Sequence, residues 1–147
     1  MSVVVSVAAV AATVVFGCLT ALRAQYDRVL NVIDFISSVQ VTEARHRMWL
    51  VIHRGVVSER EIQDRIADLF VILWAFERVE AVRRTLPRSG LVIAGPLAGP
   101  HRLLRESVGP GVDYWRTHLG RVERVLNSPD TAMSARPLYA LAAAWRR

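Results

Sequence analysis

No side chain from Met1 to Leu22 is charged, and the stretch MSVVVSVAAVAATVVFGCLTAL leads directly to Arg23. As an α-helix it is about 33 Å long at 1.5 Å per residue, enough to cross a hydrocarbon core of roughly 30 Å. A helix satisfies its own backbone donors and acceptors in lipid, where few other structures can. Ser2, Ser6, Thr13 and Thr20 are its only polar side chains, and such hydroxyls bond back to carbonyls one turn earlier at little cost. Arg23, Tyr26 and Arg28 supply the residue types expected where a helix leaves the bilayer. The sequence predicts a transmembrane anchor over residues 1–22.

A cleaved secretory signal would need a basic start and a small-x-small cleavage site. No Arg or Lys precedes the apolar run, and Arg23 intrudes in Ala21-Leu22-Arg23-Ala24. Val15-Phe16-Gly17-Cys18 resembles a bacterial lipobox, so a lipoprotein acylated at Cys18 is an alternative. Leu19-Thr20-Ala21-Leu22 nevertheless continue the apolar run where a lipoprotein has a polar tether. An uncleaved anchor fits best. By the positive-inside rule, Arg23 and Arg28 then place the rest of the chain on the cytoplasmic side of a bacterial inner membrane.

All nineteen basic residues are Arg, with no Lys, a skew that reads as GC-rich coding. The single Cys excludes an intramolecular disulfide framework and any multi-cysteine zinc site. At 147 residues and 52% hydrophobic content the chain has room for one small core and is too apolar to be disordered.

Val29, Leu30, Val32, Ile33 and Ile36 continue the helical pattern past the membrane, giving an extension over 23–36 that breaks at Ser37-Ser38. Thr42 is the expected cap of a second helix carrying Met48, Trp49, Val51 and Ile52, with Gly55 as its stop; Met48–Ile52 alone would also suit a strand. Ser58-Glu59-Arg60-Glu61 reads as a capping box. Ile62, Ile66, Leu69, Leu73 and Phe76 follow as the stripe of a third helix, with Arg60–Asp64 and Glu61–Arg65 pairs outside, running to Leu86 before Pro87. Gly90, Gly95-Pro96, Gly99-Pro100 and Gly109-Pro110-Gly111 predict a broken connection over 87–111 with a short helix at His101–Glu106. Asp113 then caps a helix holding Tyr114, Trp115, Leu119, Val122, Val125 and Leu126, closed by Ser128-Pro129-Asp130. The expected fold is all-α: a transmembrane helix, then a cytoplasmic domain over 37–127 of about three helices. A tail over 128–147 either docks on the core or lies at the lipid surface.

Chemistry is sparse. Glu43 and His46 have the Glu-x-x-His spacing of carboxylate-bridged metal sites, and His53 follows, but no second copy supplies the remaining ligands. His101, Ser107, Asp113 and His118 lack a nucleophile elbow or oxyanion loop, and no phosphate loop is present. The expectation is a non-catalytic protein without cofactor. With formal charge +6, a nucleic-acid partner would still require interleaved aromatics or a helix-turn-helix, so none is expected. Arg83, Arg84, Arg88, Arg102 and Arg105 instead form a candidate contact with anionic lipid headgroups. Ala9, Thr13, Gly17 and Ala21, four apart, form a small-residue face suited to self-association of the anchor.

Val29–Ile36 after the anchor, Ile72-Leu73-Trp74-Ala75-Phe76-Glu77-Arg78, and Tyr114-Trp115 together resemble a group of small bacterial membrane proteins classed by a domain of unknown function. The resemblance covers about residues 1–127 and implies one N-terminal crossing followed by cytoplasmic helices, with no catalytic motif. The expected role is a binding or structural module acting on a protein partner still to be identified. A phage-type membrane accessory or lysis protein is the rival.

Overall fold

A computed structural model describes residues 2–53, 59–86, 98–126 and 129–145. All regular structure among the described residues is helical: α1 (Ser2–Ile36), α2 (Val39–His53), α3 (Glu59–Asp64), α4 (Ile66–Thr85), α5 (Gly99–Leu126) and α6 (Pro129–Trp145). The helical class agrees with the sequence. The expectation of about three helices after the anchor falls short of this arrangement.

The first helix does two jobs along one axis. Its early part carries exposed apolar side chains, whereas Val29 and Val32 are buried and Ile33 and Ile36 pack against the core. Those four recur at helical spacing, so one stripe of α1 faces α4 and α5. Ser37-Ser38 forms the turn into α2. The Ser37 amide bonds the Ile33 carbonyl at 2.9 Å, and the Thr42 amide bonds the Ser38 carbonyl at 2.9 Å. Thr42 therefore lies inside α2 instead of capping it. Its hydroxyl reaches back to the Ser37 carbonyl at 3.4 Å. Met48–Ile52 is helical, with Val41, Ala44, Met48 and Ile52 inward.

The third predicted helix is two helices. Arg65 leaves helical geometry at φ −109°, ψ 11°, separating α3 from α4. Leu69, Leu73 and Phe76 of the predicted stripe are buried, joined by Ile72 and Val79. Ile66, which the stripe placed inward, is at the surface, and so is Trp74. Arg65 meets Asp68 at 3.7 Å. The expected cap at Ser58, the stop at Gly55, Pro87, Gly90, Gly95-Pro96 and the side chains of Ile62, Val122, Val125 and Leu126 lie outside the described residues.

The largest departure is α5. The connection predicted to be broken through Gly111 is instead continuous helix from Gly99, so Asp113 is an interior residue and not an N-cap. Pro110 deprives the Glu106 carbonyl of its amide partner, a loss worth about 3 kcal/mol in a helix interior. Opposing it, Leu104, Val108, Val112, Trp115 and Leu119 all bury on one stripe at 4-4-3-4 spacing. At roughly 1.5–3 kcal/mol per buried large apolar side chain, the stripe outweighs the local breakers. The same holds in α6, where Pro137 sits among buried Ala135, Leu138, Leu141 and Ala142. Of the two fates expected for the tail, the core claims it: α6 packs on α4 and α5.

Candidate membrane-facing site

The early part of α1 presents Val7, Val10, Val14, Val15, Phe16 and Leu19 to the outside. Phe16 is 73% exposed, an arrangement unfavourable in water and natural in lipid. Among the described residues, α1 is the one helix long and apolar enough to cross a membrane. Its two threonine hydroxyls are satisfied internally: Thr13 donates to the Ala9 carbonyl and Thr20 to the Phe16 carbonyl, both at 2.9 Å. Ala9, Thr13, Gly17 and Ala21 are all exposed, and a Cβ placed on Gly17 would meet nothing within 4 Å. Cys18 is exposed on the same helix.

Tyr26 behaves differently from a free interfacial anchor. It is half-buried, and a Cβ on Gly99 would overlap its hydroxyl, so a side chain at the start of α5 would require the Tyr26 ring to shift. Arg23 and Arg28 remain exposed.

The candidate lipid-contact arginines divide into two groups. Arg83 and Arg84, in the last turn of α4, both grip Glu80: Arg83 Nε lies 2.6 Å from Oε2 and Arg84 Nε 2.8 Å from Oε1. Glu80 is 3% exposed. Burial alone would raise its carboxyl pKa, but the hydrogen bonds from Arg83 and Arg84 reverse this and hold it below the usual carboxylate range. Arg102 and Arg105 sit on α5 and line one open groove with His101, Glu106 and Trp145. Arg102 pairs with Glu106 at 2.7 Å, and Arg105 donates to the Trp145 carbonyl at 2.8 Å, tying α6 to α5. Arg88 lies outside the described residues. These guanidiniums hold parts of the fold together as well as presenting charge.

Of the two histidines weighed for metal binding, His53 is placed in an aromatic cluster that sequence reasoning missed. His53 stacks on Trp49, ring centroids 4.5 Å apart, and lies 6.3 Å from Tyr114 and 5.6 Å from His118. Its Nδ1 is 3.0 Å from the Trp49 carbonyl. Beside this cluster, Thr42, Arg45, His46 and Trp49 of α2 face Tyr114 and Trp115 of α5 across a groove of about 430 Å³. The Tyr114-Trp115 pair was visible in the sequence, but only tertiary folding brings Arg45 to it. No protein-family model, curated protein or solved structure matches the chain.

Proposed function

We propose that this is a single-pass bacterial inner-membrane protein whose cytoplasmic helical domain is a non-catalytic binding or structural module. The carrying observation is α1 itself: one unbroken helix, uncharged and exposed at its start, packed into the domain core at its end. Such a helix couples the module to the bilayer without a flexible linker. The topology follows from Arg23 and Arg28.

Fusing reporters to the C-terminus tests this reading. A cytoplasm-dependent fluorescent reporter should be active in the membrane fraction, and a periplasm-dependent phosphatase should be silent. The reverse pattern, or a protein that stays in the soluble fraction, overturns it. Mass spectrometry of the purified chain distinguishes the lipoprotein alternative, which requires a new acylated N-terminus at Cys18.

A further inference from the structure

We propose that the end of the domain where α1 enters it binds anionic phospholipid headgroups, through Arg102 and Arg105 of α5 together with Arg23 and Arg28 of α1. The inference rests on the reading of α1 as a membrane-spanning helix, and it names the lipid class the module then meets. These arginines are far apart in sequence and form one patch only because of the direction in which α5 runs. The Tyr26 hydroxyl lies against Gly99, the first residue of α5. Farther along, Ile36 shares a cavity with Val108, Pro110 and Gly111. The step from Tyr26 to Ile36 on α1 thus matches the step from Gly99 to Val108–Gly111 on α5. The two helices run side by side in the same direction, away from the apolar segment. The last helix runs back: Ala142 lines a groove with Gly109 and Val112, and the Trp145 carbonyl accepts from Arg105 at 2.8 Å. The start of α5 and the end of α6 therefore lie on the side of the domain nearest the apolar part of α1.

At a rise of 1.5 Å per residue, Arg102 stands about 9 Å past Arg23 along the helix axis, and Arg105 about 14 Å. Attraction to anionic headgroups fades over a Debye length of about 8 Å at physiological salt, and a long arginine stem covers part of the remaining distance. The charges at this end favour an anion. Arg105 is exposed, and the partner described for it is an uncharged carbonyl, which leaves its charge uncompensated. Arg102 is 78% exposed and pairs with Glu106, itself 60% exposed. A surface pair of this kind is worth little, so the guanidinium can exchange it for a phosphate. Arg23 and Arg28 are both exposed, with Asp27 the acidic side chain beside them. Trp145, half-buried on the same groove as Arg102 and Arg105, is of the residue type enriched at membrane interfaces. Arg83 and Arg84 are instead held on the buried carboxylate of Glu80 and are not needed for the patch. A lipid is the occupant because the patch is continuous, through the Tyr26–Gly99 contact, with the exposed apolar surface of α1.

Electron spin resonance on the full chain, reconstituted in phosphatidylcholine vesicles, provides the test. Trace spin-labelled phosphatidylglycerol and phosphatidylcholine are the probes. The fraction of each probe held at the protein surface gives its relative affinity, whichever way the chain is oriented. Phosphatidylglycerol should be preferred by about threefold or more at low salt, since one basic residue near an anionic surface is worth up to about fivefold. The preference should approach unity in about 1 M salt, where the Debye length is about 3 Å. Arg102→Gln combined with Arg105→Gln should remove at least about half of the preference, and the amide at position 105 still offers a donor to the Trp145 carbonyl. Arg116→Gln combined with Arg136→Gln removes the same charge farther along α5 and α6 and should leave the preference unchanged. If the first double variant does not fold, Arg102→Gln alone, which breaks only an exposed ion pair, should still lower it. Equal affinity for the two lipids, a preference indifferent to salt, or one untouched by the substitutions at Arg102 and Arg105 overturns the proposal. A chain that does not float with the vesicles overturns the membrane-spanning reading as well.

Discussion

Arg47 grips Asp68 side-on, Nη2 to Oδ1 at 2.7 Å and Nε to Oδ2 at 2.9 Å, and so clamps α2 to α4. Asp68 lies in the first turn of α4, where a negative charge also complements the helix dipole. Glu43 joins the same guanidinium at 3.2 Å but is 60% exposed. Asp68→Asn should therefore lower the thermal unfolding midpoint clearly more than Glu43→Gln does. Equal midpoints for the two variants would remove the clamp from the account of stability.

Leu73 is 2% exposed, and its neighbour Trp74 is 49% exposed. Leu73→Ala should cost about 2–5 kcal/mol in denaturant unfolding, the range for large-to-small core changes. Trp74 meets the Phe35 ring in a T-shaped contact, centroids 5.3 Å apart, and lies under Arg78. Trp74→Ala should cost less than Leu73→Ala, and the reverse order would invert the assigned faces of α4.

Glu80 predicts the sign of one pH effect. Its folded pKa is depressed below the ordinary 4.5, so the stability it contributes is present above that value and is lost as pH falls through the folded pKa. Glu80→Gln should be less stable than the parent at pH 7. Its stability should also fall less steeply between about pH 4.5 and lower pH, as followed by circular dichroism. A parallel acid limb in both proteins would assign the titration elsewhere.

Two glycines of α5 should respond in opposite directions. A Cβ on Gly120 meets nothing within 4 Å, and Gly120→Ala should stabilise the helix by about 0.5–1 kcal/mol. Gly99→Ala would drive a methyl into the Tyr26 hydroxyl and should destabilise. Pairing it with Tyr26→Phe should recover part of the loss. Calorimetric melting of the single and double variants measures both effects.

Much of the fold was legible because periodicity reports burial directly. The apolar N-terminal helix, its run to Ile36, and the stripe through Leu69, Leu73 and Phe76 follow from apolar spacing alone. The misreading of α5 arose from giving Gly109-Pro110-Gly111 the weight of a break. The spacing from Leu104 to Leu119 was equally available, and packing energy favours the stripe over local propensity. The turn at Arg65 has no comparable signal, because a helix former sits there and the chain turns all the same. Of the candidate sites, the arginines were visible but their engagement was not: Glu80 lies three and four residues from Arg83 and Arg84, whereas Arg105 finds a carbonyl forty residues away. The Arg45 groove depends on two helices distant in sequence, which no local pattern encodes.

Because α1 runs from Ser2 to Ile36 without a break, its exposed apolar and core-facing side chains share one angular frame. Each residue added or removed between Leu22 and Val29 would swivel the domain by about 100° around the helix axis and move it about 1.5 Å along it. If α1 spans the bilayer as proposed, the compass bearing of the domain on the membrane surface is set by the count of residues in a single turn or two of helix. Neighbours in the bilayer would meet one chosen side of it, as a weathervane bolted to its mast shows one side to an observer.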